Sequence, residues 1–212
     1  MIQIKKFTFN PVQENTFVAF DETGECVIID AGCYSENERQ ELDLFISRKQ
    51  LTPVHLINTH CHFDHIMGVT HCRDKYQINF ETHADEKSLV EEAVEHGDLF
   101  GIPVEPIDAP DAFFQEGDQI NFGNSYLQVI EAPGHSPGGV VFYNTEQKIL
   151  IAGDVLFYGS IGRTDLPGGS FERLVGNIKT KLLTLPEETV VFCGHGPETT
   201  IGFEKKNNPF LM

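Results

Sequence analysis

Apolar and polar residues alternate over residues 2–9 with one slip at Lys5-Lys6, the period of a half-buried strand. Residues 16–20 and 26–30 flank Asp21-Glu22-Thr23-Gly24, a turn sequence, so the two runs predict a hairpin. Val27-Ile28-Ile29 is apolar without a break, which suits a strand buried on both faces. Ser35-Glu36-Asn37-Glu38 is a capping box, and Leu42, Phe45 and Ile46 follow it at helical spacing. Thr52-Pro53 ends that helix, and residues 54–58 predict the next strand. A short helix is expected over 68–75, a strand over 78–81 and a Glu-rich surface helix over 84–96. Residues 97–110 carry three prolines and predict a connecting loop beside the site.

The second half returns to strands, at 118–122, 126–130, 140–143 and 148–151, with turns at Phe122-Gly123-Asn124 and over residues 144–147. Ser170 caps a last helix with Leu174, Ile178 and Leu182 facing inward, and 190–193 is a final short strand. Two similar halves with no low-complexity linker predict one α+β domain over 1–212. Its two mixed β-sheets pack face to face, with helices on both outer faces.

Composition narrows the partners more than the fold. The 212 residues are 40% apolar and 22% charged, enough for a sizeable core. Against 15 Lys+Arg stand 32 Asp+Glu, a formal charge of −17 that repels nucleic acid and anionic membranes. A small molecule is the expected partner. The N-terminus shows no secretory pattern, and no stretch has the length of a membrane span. Five cysteines, without a CxxC spacing, are expected as free thiols in a reducing cytoplasm.

The chemistry concentrates in Thr59-His60-Cys61-His62-Phe63-Asp64-His65, three imidazoles and one carboxylate within six residues. These are ligands for zinc and iron. Three later segments each place a metal-ligand residue next to glycine at a predicted strand end: Gly134-His135, Gly153-Asp154 and Gly194-His195-Gly196. Glycine lets the backbone turn sharply there, so that the side chain points out of the sheet. Seven ligands exceed one tetrahedral ion and suffice for two. His60 and His62 can face one ion, Asp64 and His65 a second, and the two oxygens of Asp154 can bridge.

With these motifs the chain resembles the metallo-β-lactamase-fold superfamily over essentially its whole length, which implies an αββα sandwich with metals at the sheet edge. The resemblance implies His60, His62 and His135 on one metal, Asp64, His65 and His195 on the other, and Asp154 between. Gly162-Arg163-Thr164-Asp165 resembles the glyoxalase II-like thioester hydrolases and also the persulfide dioxygenases. The secreted β-lactamases differ by a signal peptide and another ligand pattern, and lactonases of the fold by paired glycines where Met67-Gly68 stands. Two-domain glyoxalase II enzymes carry a C-terminal helical domain that this sequence is expected to lack.

The resemblance thus implies cleavage of a thioester such as S-acylglutathione by a metal-bridging hydroxide. The cofactors are two divalent ions, zinc first, with iron or manganese as alternatives, and Asp64 and Asp154 are the catalytic residues. The alternatives are a mononuclear iron persulfide dioxygenase and a non-catalytic metal-binding protein. Arg163, Tyr143 and Tyr158 are candidate substrate contacts, with an Arg163–Asp165 ion pair preferred for the first. Cys61 and His55 are expected to pack, His71 and His96 to lie on the surface, and His83 to lie at a strand end.

Overall fold

The computed structural model describes residues 1–212. The first half supplies β1 (Gln3–Phe9), β2 (Glu14–Phe20), β3 (Glu25–Ile29), α1 (Glu36–Lys49) and β4 (Thr52–Ile57). It continues with α2 (Phe63–Ile66), α3 (Val69–Tyr76), β5 (Phe80–His83), α4 (Lys87–Glu91), α5 (Ala93–Leu99) and β6 (Ala112–Phe114). The second half supplies β7 (Gln119–Phe122), β8 (Ser125–Glu131), β9 (Val140–Asn144) and β10 (Ile149–Gly153). A two-stranded hairpin follows, β11 (Leu156–Phe157) and β12 (Ser160–Ile161), and then α6 (Phe171–Asn177), β13 (Val190–Cys193), β14 (Thr199–Thr200) and α7 (Ile201–Asn207).

Strands β1 to β6 form one six-stranded sheet in chain order, antiparallel to β3 and parallel from there on. The other sheet runs β14-β13-β10-β9-β8-β7, with β10 and β13 parallel. Both sheets are mixed, as the sequence predicts. Their facing sides share a core in which Phe17, Val27, Ile29 and Ile57 meet Leu127, Val129, Phe142 and Ile151. Ile28 points the other way, into a second core with Leu42 and Ile46 of α1 and Val69 and Cys72 of α3. The unbroken run Val27-Ile28-Ile29 thus has apolar neighbours on both faces. A third core packs Leu174, Ile178 and Leu182 under the second sheet, against Val141, Leu150 and Val191. The four layers are helix, sheet, sheet, helix.

The capping box forms: the Ser35 side chain accepts from the Glu38 backbone and the Glu38 carboxylate from the Ser35 backbone. The predicted helix over 84–96 is instead a 3-10 turn followed by α4 and α5, and α5 runs on to Leu99. It is also not a plain surface helix, because Leu89, Val90, Ala93 and Gly97 are buried. Nor is the strand over 190–193 final: Thr200 caps α7 beyond it, and two-residue β14 pairs with β13.

Candidate metal centre

Five strand ends converge at one edge of the sandwich. β3 leads to Asp30, β4 to His60, β8 to His135, β10 to Asp154 and β13 to His195. His62 is extended at φ −62°, ψ 148°, and Phe63 opens α2. That switch from extended to helical backbone turns Asp64 and His65 away from His60 and His62. Gly134 has φ +136°, Gly153 φ +48° and Gly196 φ +71°, so three of the four glycines beside a candidate ligand adopt a backbone that other residues disfavour, and Gly194 does not.

Three groups of ligand atoms lie within 4.8 Å of one another: His60, His62 and His135; Asp64, His65 and His195; and Asp30, His60 and His65, which shares a histidine with each of the other two. His135 Nε2 lies 2.9 Å from His62 Nδ1 and 3.3 Å from His60 Nε2. Four ligands about 2.0–2.1 Å from a tetrahedral ion stand about 3.3 Å apart, so the first triad has the spacing a metal requires. In the second group, His195 Nε2 is 3.2 Å and His65 Nε2 3.7 Å from Asp64 Oδ2. Asp154 lies between the groups, its Oδ1 3.5 Å from His65 Nε2 and its Oδ2 3.5 Å from His135 Nε2 and 3.6 Å from His195 Nε2. Asp154 Oδ1 and His65 Nε2 are buried and have no hydrogen-bond partner in the protein. Buried polar atoms rarely go unpaired, and a cation satisfies both. The residues fit a metal pair.

Electrostatics agree. Burial, with the neighbouring imidazoles, pushes His60 well below its usual range and His62 down to about 3, so both stay neutral and keep a free lone pair. Burial also disfavours a charged His65, but Asp64, Asp154 and Asp30 outweigh it and raise that residue well above the usual range. Its proton is the charge that a bound cation replaces.

An outer ring fixes the ligands. His135 Nδ1 donates to the Arg163 carbonyl at 2.7 Å and His195 Nδ1 to the Gln13 carbonyl at 3.1 Å, which points each Nε2 inward. Asp30 accepts from Thr59 N and Thr59 Oγ1, both at 2.7 Å, and sits 3.2 Å from His65 Nδ1. Buried Glu86 accepts from the Cys61 backbone at 2.7 Å and the Gly138 backbone at 2.6 Å. Asn10 Nδ2 donates to the Asp64 carbonyl at 2.9 Å. Cys61 turns its thiol to Thr82, away from the imidazoles on either side of it.

The metallo-beta-lactamase superfamily model matches residues 9–195. The chain belongs to that superfamily. It is 39% identical to "Probable metallo-hydrolase YqgX" of Bacillus subtilis (strain 168), over 98% of this chain and 96% of the other. It is 36% identical to "Hydroxyacylglutathione hydrolase GloC" of Haemophilus influenzae, over 94% and 93%. Among solved structures, the BLEG-1 B3 metallo-beta-lactamase superposes with a TM-score of 0.91 at 39% identity, covering 99% of this chain and 100% of that one. TTHA1623 in a di-iron-bound form gives 0.88 at 38% identity, covering 98% and 100%.

In this metallo-beta-lactamase superfamily member a cavity of about 250 Å³ opens over the centre. His62, Asp64, His135, Asp154 and His195 are exposed to it, and Val12, Phe63, Leu89, Leu99, Phe100, Leu166 and Pro167 form apolar walls. Arg163 lines it too, held to Asp165 by two hydrogen bonds of 2.8 and 2.7 Å. Tyr143 and Tyr158 require correction as substrate contacts. Tyr143 is buried in the core beneath α6, and Tyr158 stacks on Phe203 of α7 with ring centres 4.6 Å apart; neither lines the cavity. His96, expected on the surface, lines the cavity from α5. His55 packs as expected, 2.7 Å from Glu81, while His71 reaches Asp43 at 3.1 Å and His83 Glu131 at 3.3 Å. The outer ring and His96 escaped the sequence reading because each is one polar residue whose partners lie far along the chain.

Proposed function

We propose that this chain is a two-metal thioester hydrolase of the glyoxalase II type, acting on S-acylglutathione or a related thioester. Asp154 carries the reading: one carboxylate stands 3.5–3.6 Å from histidines of both triads, the arrangement that serves two ions and is wasted on one. His60, His62 and His135 hold the first metal in this proposal, Asp64, His65 and His195 the second, and Asp154 both. Imidazole and carboxylate accept zinc, iron or manganese, and zinc is the ion we propose. The GloC relative supports the substrate class and the di-iron TTHA1623 structure the metal count.

When bound, the metal pair supplies a water deprotonated near neutral pH and a Lewis acid for a carbonyl oxygen. Asp64 would orient the attacking water, and Asp154 would set the spacing of the two triads. A thiolate leaves readily, so the reaction needs no dedicated acid from the chain. Ligands come from both sheets, which supports one domain over 1–212. No helix is long and apolar enough to cross a membrane, and five buried free thiols support a reducing cytoplasm.

The test is metal content per chain, with turnover of S-lactoylglutathione set against oxygen uptake with glutathione persulfide. Two metals with thioester cleavage are expected. One iron with oxygen uptake, or turnover of a chromogenic cephalosporin above that of every thioester, would replace the proposal.

A further inference from the structure

The mouth of the cavity is apolar where a glutathione carrier would need cations. Leu99 and Phe100, at the end of α5, are 81% and 51% exposed although both are large and hydrophobic. The Phe100 ring lies 5.4 Å from that of Phe63, tilted by 31°. Phe63 stands in sequence between the candidate ligands His62 and Asp64, so this wall begins at the metal centre itself. Leu166 and Pro167 line the cavity with these rings. Contiguous exposed apolar side chains beside a reactive floor mark the place of an apolar ligand group.

Charge points the same way. Arg163 is the one Lys or Arg lining the cavity, and its guanidinium already makes a bidentate pair with the Asp165 carboxylate. Its backbone carbonyl is committed as well, to His135. The floor contributes the carboxylates of Asp64 and Asp154, and the whole chain carries −17. A ligand carboxylate entering this mouth meets no unpaired cation in the walls. The common biological thiol carriers bear carboxylates or phosphates, so the apolar wall suits the acyl side of a thioester.

We infer that the chain selects thioesters by an apolar acyl group lodged against Phe63, Leu99, Phe100 and Leu166, and that it does not recognise the carboxylates of a glutathione carrier. The inference rests on the thioesterase reading and names the substrate class within it.

Two measurements on the metal-loaded protein test it. In calorimetry, S-hexylglutathione is expected to bind about tenfold or more tighter than S-methylglutathione, since each buried methylene contributes about 0.8 kcal/mol, or roughly fourfold. Replacing the glutathione carrier by N-acetylcysteamine is expected to change hexyl binding by less than about threefold. Leu99→Ser and Phe100→Ser are each expected to cut the hexyl-to-methyl preference by about tenfold; both side chains are solvent-exposed, so the variants fold. In kinetics, hexanoyl esters of either carrier are expected to exceed lactoyl esters about tenfold or more in kcat/KM. A glutathione preference above about tenfold that vanishes in Arg163→Gln overturns the inference by showing carboxylate recognition. Cleavage indifferent to chain length sinks this selection alone. Cleavage of no thioester sinks the hydrolase reading and this selection with it.

Discussion

Glu86 is a fully buried carboxylate that belongs to neither triad, and its replacement tests what holds the first triad together. Its Oε2 accepts from the backbone of Cys61, between His60 and His62, and its Oε1 from the backbone of Gly138, three residues past His135. One side chain therefore ties two loops that carry all three imidazoles. Glu86→Gln keeps the volume and one acceptor oxygen but turns an amide NH2 toward the other N–H. A hydrogen bond to a charged group contributes about 1.5–3 kcal/mol, and an unpaired buried donor costs about 1–3 kcal/mol. These overlap, so the expected loss is about 2–4 kcal/mol from the roughly 5–15 kcal/mol of an ordinary domain. For a chain of this size that lowers Tm by about 4–16 °C. Urea unfolding measures the stability, and competition with a chromogenic chelator measures metal affinity, expected to fall by about 10–100-fold. Glu95→Gln, on the exposed side of α5, is the control and should stay within about 0.5 kcal/mol. If Glu86→Gln matches the control in both assays, the loops are held by something else and the reasoning fails.

Asp154→Asn removes the charge shared by the two triads; a fall in metal content below two per chain and a loss of turnover on the order of 10²-fold or more are expected, and full metal loading with wild-type rates would contradict the bridging role. At Gly194 an added Cβ collides with Asp154 Oδ1 and approaches His65 Cε1 and the Gly153 carbonyl carbon to 2.9 Å each, so Gly194→Ala should load fewer metals, as elemental analysis would read. The hydrogen bond that His55 Nδ1 donates to the Glu81 carboxylate raises the pKa of His55. A raised folded-state pKa stabilises below the unfolded value of about 6.5 and ceases to do so as pH climbs through the folded value. Glu81→Gln should therefore cost about 1 kcal/mol near pH 6 and less near pH 9; an equal cost at both would refute the charged pair.

The candidate ligands were legible because their signal is local. His60 to His65 fall within six residues, and the later ligands each sit beside a glycine at a strand end. The sheets were legible too, since period-two alternation and apolar runs are properties of short windows. What stayed hidden depends on tertiary partners. Nothing near Glu86 in sequence says that Cys61 and Gly138 will bring it two N–H groups. The helix predicted over 84–96 turns Leu89, Val90 and Ala93 to the core, which a Glu-rich window does not announce, and its C-terminal end brings His96, Leu99 and Phe100 to the cavity. Tyr143 misled for the same reason. Its position in β9 is a strand's, and only the packing of α6 decides that this face of the sheet is covered.

The outer ring also explains how a sandwich holds a site that neither sheet contains. Facing sheets pack about 10 Å apart, whereas a metal pair needs its ions about 3.5–4 Å apart. Strands alone cannot close that gap, so the ligands stand on loops beyond the strand ends and the loops are tied to one another across the two halves. Val140 N donates to the Thr59 carbonyl at 2.8 Å, and Glu86 reaches Gly138. Asn15, at the start of β2, donates its backbone N–H to the Gly194 carbonyl at 2.7 Å and its amide to the carbonyls of Cys193 and Gly196 at 2.9 and 3.0 Å. Each tie joins a residue of the first half to a strand end or loop of the second. The inner core sets the separation of the sheets by non-directional packing, which tolerates small changes in shape. The ties set the separation of the ligands by hydrogen bonds of fixed length and direction. Packing thus fixes the fold, while the ties, which add to its stability, fix the ligand geometry, and these tying residues are scattered along the chain.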